Sequence, residues 1–362
     1  MKIVKAEVSI VEIPFHLRGT GVGIMPTAWK SLEFALIRLE DELGNVGWGE
    51  GFGYFTVDAT KAIIDRLILP SLIGSIIDDI PAWNRQMQRS IHMFGRYGIT
   101  IFAIGGVDIA LWDLAAKRAG KPLYQLLGEG RREQIPFYAS MVRYGTEELA
   151  TMTCREVIAA GFNSIKLHEI DLDIIEACRR VAGPDKNICV DVNCAWSVEF
   201  VERNRERLEA LNLTWVEEPV YPPEDFAALS SLRGSLPIAA GENWTTSFQF
   251  AQAFQADAVD IVQPSVTKVG GISEFLAIIE QAGKAGSQLM PHSPYFGPGF
   301  FASLHLAAAN ASVQALEYNF VQPDAWLADV EGLRSGDLIK VPQVPGLGFE
   351  PDYDVMNKYR RG

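Results

Sequence analysis

Residues 3–15, IVKAEVSIVEIPF, alternate apolar and polar side chains, and residues 31–50, SLEFALIRLEDELGNVGWGE, do so again around a Gly44-Asn45 turn. A period of two places one face of each segment against a core, so both predict antiparallel strands. Between them, RGTGVGIMPTAW (18–29) has three glycines and a proline in twelve residues, which predicts a mobile loop with apolar tips. From about Val57 to Gly128 the period becomes helical. TIFAIGGVDIALWDLAAKRAG places Ile101, Ile104, Ala110, Leu111 and Leu114 on apolar faces, and Gly120 with Pro122 ends the helix. Residues 1–130 thus read as an α+β unit.

From about Gln134 short apolar runs alternate with amphipathic helices, each unit about 25 residues long. The runs are IPFYAS, SIKLHE, ICVDVN, LTWVEE, PIAAGE, AVDIVQP, SQLMPH and VQALEYN. Eight buried-strand candidates at this spacing predict a closed parallel barrel over 131–339. A doubly wound open sheet is the alternative. The barrel is preferred because functional residue types end nearly every run, and a barrel gathers all strand ends on one face. The tail, 340–362, holds Pro342, Pro345 and Pro351 and is expected to pack back and complete the first unit.

Composition narrows the partners. The chain has 362 residues, 48% hydrophobic and 21% charged, with net charge −13. Such an acidic surface suits neither nucleic acid nor an anionic membrane. No run of 18 apolar residues predicts a membrane span, and the N-terminus has no secretory pattern, so the cytoplasm is the expected compartment. Cys154, Cys178, Cys189 and Cys194 lack CxxC spacing and read as reduced, buried thiols.

Asp191, Glu217 and Glu242 end three consecutive runs, 26 and 25 residues apart. In a parallel barrel such residues lie side by side at one height. At ~4 Å and an effective dielectric of ~20, each pair of anions costs about 4 kcal/mol, so the three call for a cation. All-oxygen ligation favours Mg²⁺, with Mn²⁺ as substitute. Strand alternation should turn the neighbouring Glu218 away. Lys166 and His168 end the second run on one face, His292 ends the seventh, and Glu317 ends the eighth. Asn193, two residues after Asp191, can face the same cavity and donate to a substrate oxygen. Among five histidines, His16, His92 and His305 lack such placement and read as structural or surface residues.

These residues resemble the enolase superfamily, in its mandelate racemase branch, over essentially the whole chain. The resemblance is carried by AIGGVDIALWDLAAKRAGKPLYQLLG (103–128), then VDVN, WVEEP, GENW and KVGG in the family's order. It implies an α+β N-terminal capping domain over a modified (β/α)7β TIM barrel. It also implies Mg²⁺ held by Asp191, Glu217 and Glu242, and abstraction of the proton α to a small-molecule carboxylate, giving an enediolate stabilised by the metal. Lys166 beside the substrate carboxylate would add to that stabilisation, as would Glu317 if protonated. A homo-oligomer, from dimer to octamer, is a further implication.

The sequence departs from the family's pattern in two places. Many relatives carry Lys-x-Lys at the second strand; here the motif is Lys166-Leu-His168, which maps His168 onto the base. The family's strand-seven histidine pairs with a strand-six aspartate, and that position is Ser265, so His292 lacks its expected carboxylate orienter. Lys268 is expected to partner a metal carboxylate. Ser265, Lys268, Asn193, Trp29 and Tyr54 are the candidate substrate contacts. Ile24, Met25, Trp29, Phe52, Tyr54 and Phe55 give the cap loops an apolar character, and Arg18, Lys30, Arg96 and Arg143 are the nearby cations. Bases on two faces predict a racemase or epimerase of a sparsely hydroxylated 2-hydroxy or related carboxylate. The alternative is an acid-sugar dehydratase, and the third reading is a non-catalytic carboxylate-binding relative.

Overall fold

The computed structural model describes residues 1–18 and 29–361, so Ile24 and Met25 of the glycine-rich loop lie outside the described residues. The alternating N-terminal segments form an antiparallel meander of β1 (Ile3–His16), β2 (Ser31–Asp41) and β3 (Val46–Phe52). The turn between β2 and β3 is held by Asp41, whose Oδ1 accepts from the Leu43 and Asn45 amides, each at 2.9 Å. Gly44 supplies the left-handed residue there, at φ +83°.

The helix Ile99–Arg118 lies across β3. It is long and apolar enough to cross a bilayer, yet 78% of its most apolar window is buried within the protein, which is why it is apolar all round. Contact with β3 is closer than side chains permit: a Cβ on Gly49 would stand 2.0 Å from the Gly106 carbonyl oxygen. Asp113 on this helix is fully buried. It accepts from the Trp48 amide at 2.8 Å and the Leu347 amide at 2.7 Å, and pairs with Lys117 at 3.1 Å. One carboxylate therefore ties helix, cap sheet and C-terminal segment together. Asp113→Ala leaves two buried amides without an acceptor and takes one partner from Lys117, whose ammonium keeps the Val46 carbonyl and Glu350. We expect it to lower unfolding free energy by about 3 kcal/mol or more in chemical denaturation.

The eight predicted runs appear as β4 (Gln134–Ser140), β5 (Ser164–Leu167), β6 (Asn187–Asp191), β7 (Val216–Glu217), β8 (Ile238–Ala240), β9 (Ile261–Val262), β10 (Gln288–Leu289) and β11 (Leu316–Asn319). They pair in parallel in sequence order, and β11 returns to β4 with Glu317 opposite Tyr138. Leu289 and Val313 close the ring through an isolated parallel bridge. The result is a barrel rather than an open sheet. Its interior is layered: Tyr138, Cys189, Trp215, Ala239 and Ile261 form an apolar plug. Side chains on a strand return to the same face every second residue, so the next inward positions towards the strand ends include Ser140, Asp191 and Glu217, with Lys166 beside them.

The C-terminal segment reaches the cap, where Arg360 and Arg361 pair with Val11 and Ile10. On the way, Leu338–Lys340 pairs antiparallel with the start of β4. A second link to the cap, Gln322–Pro323 against His16 and Phe15, comes from before the tail.

His305 is a buried structural residue, as its placement predicts. Its Nδ1 accepts from the Tyr124 amide at 3.2 Å and its Nε2 donates to the Leu347 carbonyl at 2.9 Å. Burial pushes its pKa down from 6.5 to about 4. The unfolded chain therefore binds this proton first, and the stabilising term, whole above pH 6.5, is lost as pH falls towards 4. The loss amounts to about 3 kcal/mol. His305→Gln should remove that slope, so the stability gap between wild type and variant narrows from about pH 7 to about pH 4 in parallel denaturant titrations.

Candidate active site

The barrel register builds the site. Asp191 and Glu217 end adjacent strands and face each other directly in the β6–β7 ladder; Glu242 follows β8. One carboxylate oxygen from each of the three lies within 4.8 Å of the others, and all three residues are buried. Lys166, wholly buried, meets Glu217 Oε1 at 2.6 Å, Asp191 Oδ2 at 3.0 Å and Glu317 Oε1 at 3.2 Å. The second oxygen of Glu217 is held by the Gln263 amide at 2.7 Å and the Trp215 indole at 3.0 Å.

The charges respond to this crowding. Burial, with repulsion from Asp191, Glu317 and Glu242, lifts Glu217 well above the usual carboxylate range against the pull of Lys166. Burial opposes ionisation of Asp191 too, but Lys166 and then His168 outweigh it and hold its carboxyl down. Glu242 is likewise held low, against burial, by His292 and Lys268. Glu317 is held below its usual range, against burial, by Lys166 and then His292.

Three converging buried carboxylates fit a divalent oxygen-ligated cation. Asp191 Oδ2 points the same way: Lys166 and His168 come within 3.0 and 3.2 Å, but neither is angled as a hydrogen bond, and the oxygen has no hydrogen-bond partner among the described residues. Glu218 lies just past β7 in the left-handed region, at φ +41°, and is joined to Glu242 through Asn243. Its Oε2 accepts from Asn243 at 2.8 Å, and burial lifts its pKa to about 8.

Above the triad opens a cavity of about 780 Å³, its mouth included. The cap contributes Leu17, Trp29 and Tyr54; the barrel contributes His168, Asn193, Glu242, His292 and Glu317. The two histidines differ in what they face. His168 Nδ1 lies against the Met141 carbonyl oxygen, which only accepts, so Nδ1 carries a hydrogen; its Nε2 lies 3.2 Å from Asp191 Oδ2. His292 Nε2 likewise lies 2.9 Å from a carboxylate oxygen, Glu242 Oε2. Its Nδ1 faces two hydroxyls, Ser265 at 3.3 Å and Tyr295 at 3.2 Å.

Two expected substrate contacts are corrected. Neither Ser265 nor Lys268 is among the residues lining the cavity. Ser265 is fully buried behind His292, and Lys268 donates to Asn243 at 2.8 Å while lying over the Phe52 ring. Lys268 does serve the triad, because the amide of the same Asn243 donates to Glu242 at 3.0 Å. Of the cations near the cap, Arg143 is at the cavity, where it donates to the His168 carbonyl at 2.6 Å and Asn193 at 3.1 Å. Arg18 pairs with Glu156 at the surface, and Arg96 lies over Phe248.

Sequence reasoning passed over Gln263, Trp215, Asn319 and Tyr295. Gln263 lies two residues before Ser265, Trp215 two before Glu217 and Asn319 two after Glu317, so strand alternation could have found them. Tyr295 sits in the loop after β10, where no periodicity marks it.

A capped parallel barrel with a buried carboxylate triad at its strand ends defines a class of metal-assisted enzymes acting on small molecules. The chain belongs to the mandelate racemase/muconate lactonizing enzyme family of the enolase superfamily. The family profile for the N-terminal domain of mandelate racemase and muconate lactonizing enzyme matches residues 5–128, and that for an enolase C-terminal domain-like fold matches 149–355. An arabinonate dehydratase of Saccharolobus solfataricus is 32% identical over 91% of each chain. A D-galactarolactone cycloisomerase of Agrobacterium fabrum is 29% identical over 90% of each. The crystal structure of a racemase from Streptomyces coelicolor with bound magnesium superposes with a TM-score of 0.86 at 25% identity, covering 99% of this chain and 100% of that one. The protein is thus an enzyme of the isomerase or hydro-lyase kind, and its relatives favour the dehydratase alternative over the simple racemase expected first.

Proposed function

We propose that the enzyme is a Mg²⁺-dependent hydro-lyase that removes water from an acid sugar. The observation that carries this reading is the asymmetry of the two cavity histidines at Nδ1: His168 faces a carbonyl, which only accepts and leaves Nε2 as its basic nitrogen, whereas His292 faces two hydroxyls, which can accept from a doubly protonated ring and donate to a neutral one. Asp191, Glu217 and Glu242 would hold the metal, which when bound stabilises negative charge on a substrate carboxylate.

In the proposed reaction, His168 Nε2 takes the proton from carbon 2. The released electron pair moves into the adjoining carboxylate as an enediolate and returns to form the carbon 2–carbon 3 double bond. The carbon 3–oxygen bond breaks, and His292, protonated on both nitrogens, gives its Nε2 proton to the departing hydroxide. Water leaves, and the enol tautomerises to a 2-keto-3-deoxy acid. His168 has gained one proton and His292 has lost one; exchange with solvent resets both.

The lining supports an oxygen-rich substrate. The cap loops are apolar, but the barrel supplies Arg143, Asn193, Ser140 and Asn319. The Asn319 Nδ2 and Trp29 Nε1 donors are buried without an acceptor among the described residues, a costly state that substrate oxygens would relieve. Epimerisation is the second reading, favoured by the placement of a histidine at both ends of the strand set and by the racemase relative. Screening acid sugars with Mg²⁺ and trapping keto acids with semicarbazide decides between them: trapped product supports dehydration, whereas an epimer of unchanged mass supports the second.

A further inference from the structure

We infer that Tyr295 is a positioning residue for proton transfer by His292, replacing with a hydroxyl pair the carboxylate that Ser265 does not provide. The inference rests on His292 taking part in the reaction proposed above.

Three observations converge. First, Tyr295 is only 3% exposed, and its hydroxyl lies 3.2 Å from His292 Nδ1, on the side of the ring away from Glu242. Second, the same hydroxyl is hydrogen-bonded to Ser265 Oγ, which itself stands 3.3 Å from Nδ1. The two hydroxyls thus form a closed triangle behind the imidazole. Third, the two rings meet edge to face, with centroids 5.8 Å apart at 77°, which fixes the plane of the imidazole as well as its nitrogen. The phenol is hemmed in: a Cβ on Gly299 would come within 3.1 Å of its Cδ2.

A hydroxyl pair does something a carboxylate cannot. A carboxylate only accepts, so it binds Nδ1–H and adds a negative charge behind the ring. Hydroxyls accept from Nδ1–H without that charge, and by rotating they can also donate to a bare Nδ1. The imidazole is therefore held in one orientation at the cavity in either protonation state. The serine at 265 and the tyrosine at 295 form one device, since a serine hydroxyl at 3.3 Å alone is a weak orienter.

The test is Tyr295→Phe, made in the full-length enzyme loaded with Mg²⁺ and assayed on the best acid sugar of the screen. Removing an orienting partner of this kind typically lowers activity about 10–100-fold. We expect kcat for water loss to fall by that factor with KM nearly unchanged, while α-proton exchange through His168 persists and shows that the fold is intact. Adding Ser265→Asp to Tyr295→Phe should restore much of kcat, because it supplies a carboxylate at the same nitrogen. Independently of any substrate, the ¹⁵N resonance of His292 Nδ1, assigned with His292→Asn, should shift in Tyr295→Phe. Wild-type kcat in Tyr295→Phe, an equal fall in exchange and elimination, or an unmoved Nδ1 resonance would overturn the inference. If His292→Asn itself retains full elimination, the acid role assigned to His292 is what fails.

Discussion

His168→Asn should reduce α-proton exchange by about 10³-fold, within the range that a single general base supplies. The reason is local. His168 Nδ1 is committed to the Met141 carbonyl, so the basic nitrogen is Nε2, and Nε2 stands at the cavity beside the carboxylate triad. Asparagine keeps a polar side chain but has no nitrogen lone pair to accept a proton. Asp191 loses one of the two cations beside it, but Arg143 stays anchored to the backbone carbonyl of residue 168 and to Asn193, and Lys166 remains within the triad. Loss of the substrate α-proton signal in D₂O, followed by ¹H NMR, measures the effect. Exchange within about tenfold of wild type would place the base elsewhere.

Glu217→Gln should abolish turnover and Mg²⁺ binding. Glu217 sits at the centre of the triad, opposite Asp191 in the ladder. Both of its oxygens accept, one from Lys166 and the other from Gln263 and Trp215, so the glutamine amide turns towards a donor on one side and the metal-free fold loses a bond there. Lys166 retains Asp191 and Glu317 as partners, so no buried ammonium is left uncompensated. Mg²⁺ at about a hundredfold over its dissociation constant should stabilise the wild type by about 2.7 kcal/mol and the variant not at all. Thermal unfolding with and without Mg²⁺ measures both arms. A metal-dependent shift preserved in Glu217→Gln would remove this residue from the ligand set.

The strands were legible because the barrel buries them on both faces, leaving apolar runs that end abruptly in a charged or polar residue. Asp191, Glu217 and Glu317 stand out for that reason. So do the cap strands, whose single buried face imposes a period of two. What the sequence hid is contact across the fold. Ser265 and Lys268 lie near strand ends, and nothing in their spacing says that Tyr295 and Asn243 stand between them and a clearer role. The polarity of the cavity was misjudged for a related reason. The cap loops are apolar in sequence, but Arg143, Asn193 and Asn319 come from distant strand ends, and only closure of the barrel under the cap brings them together (a long-range contact that local periodicity does not encode). Tyr295 is the plainest case: a loop tyrosine acquires its meaning from a hydroxyl at 265.

Incubation with Mg²⁺ and a library of acid sugars in D₂O, with products read by mass spectrometry and NMR, puts metal-dependent dehydration to its sharpest trial. The expected product is a keto acid lighter than its substrate by one water, formed only with Mg²⁺ and lost in His168→Asn. α-Deuterated epimer of otherwise unchanged composition, or keto acid formed equally well without a divalent cation, would contradict it.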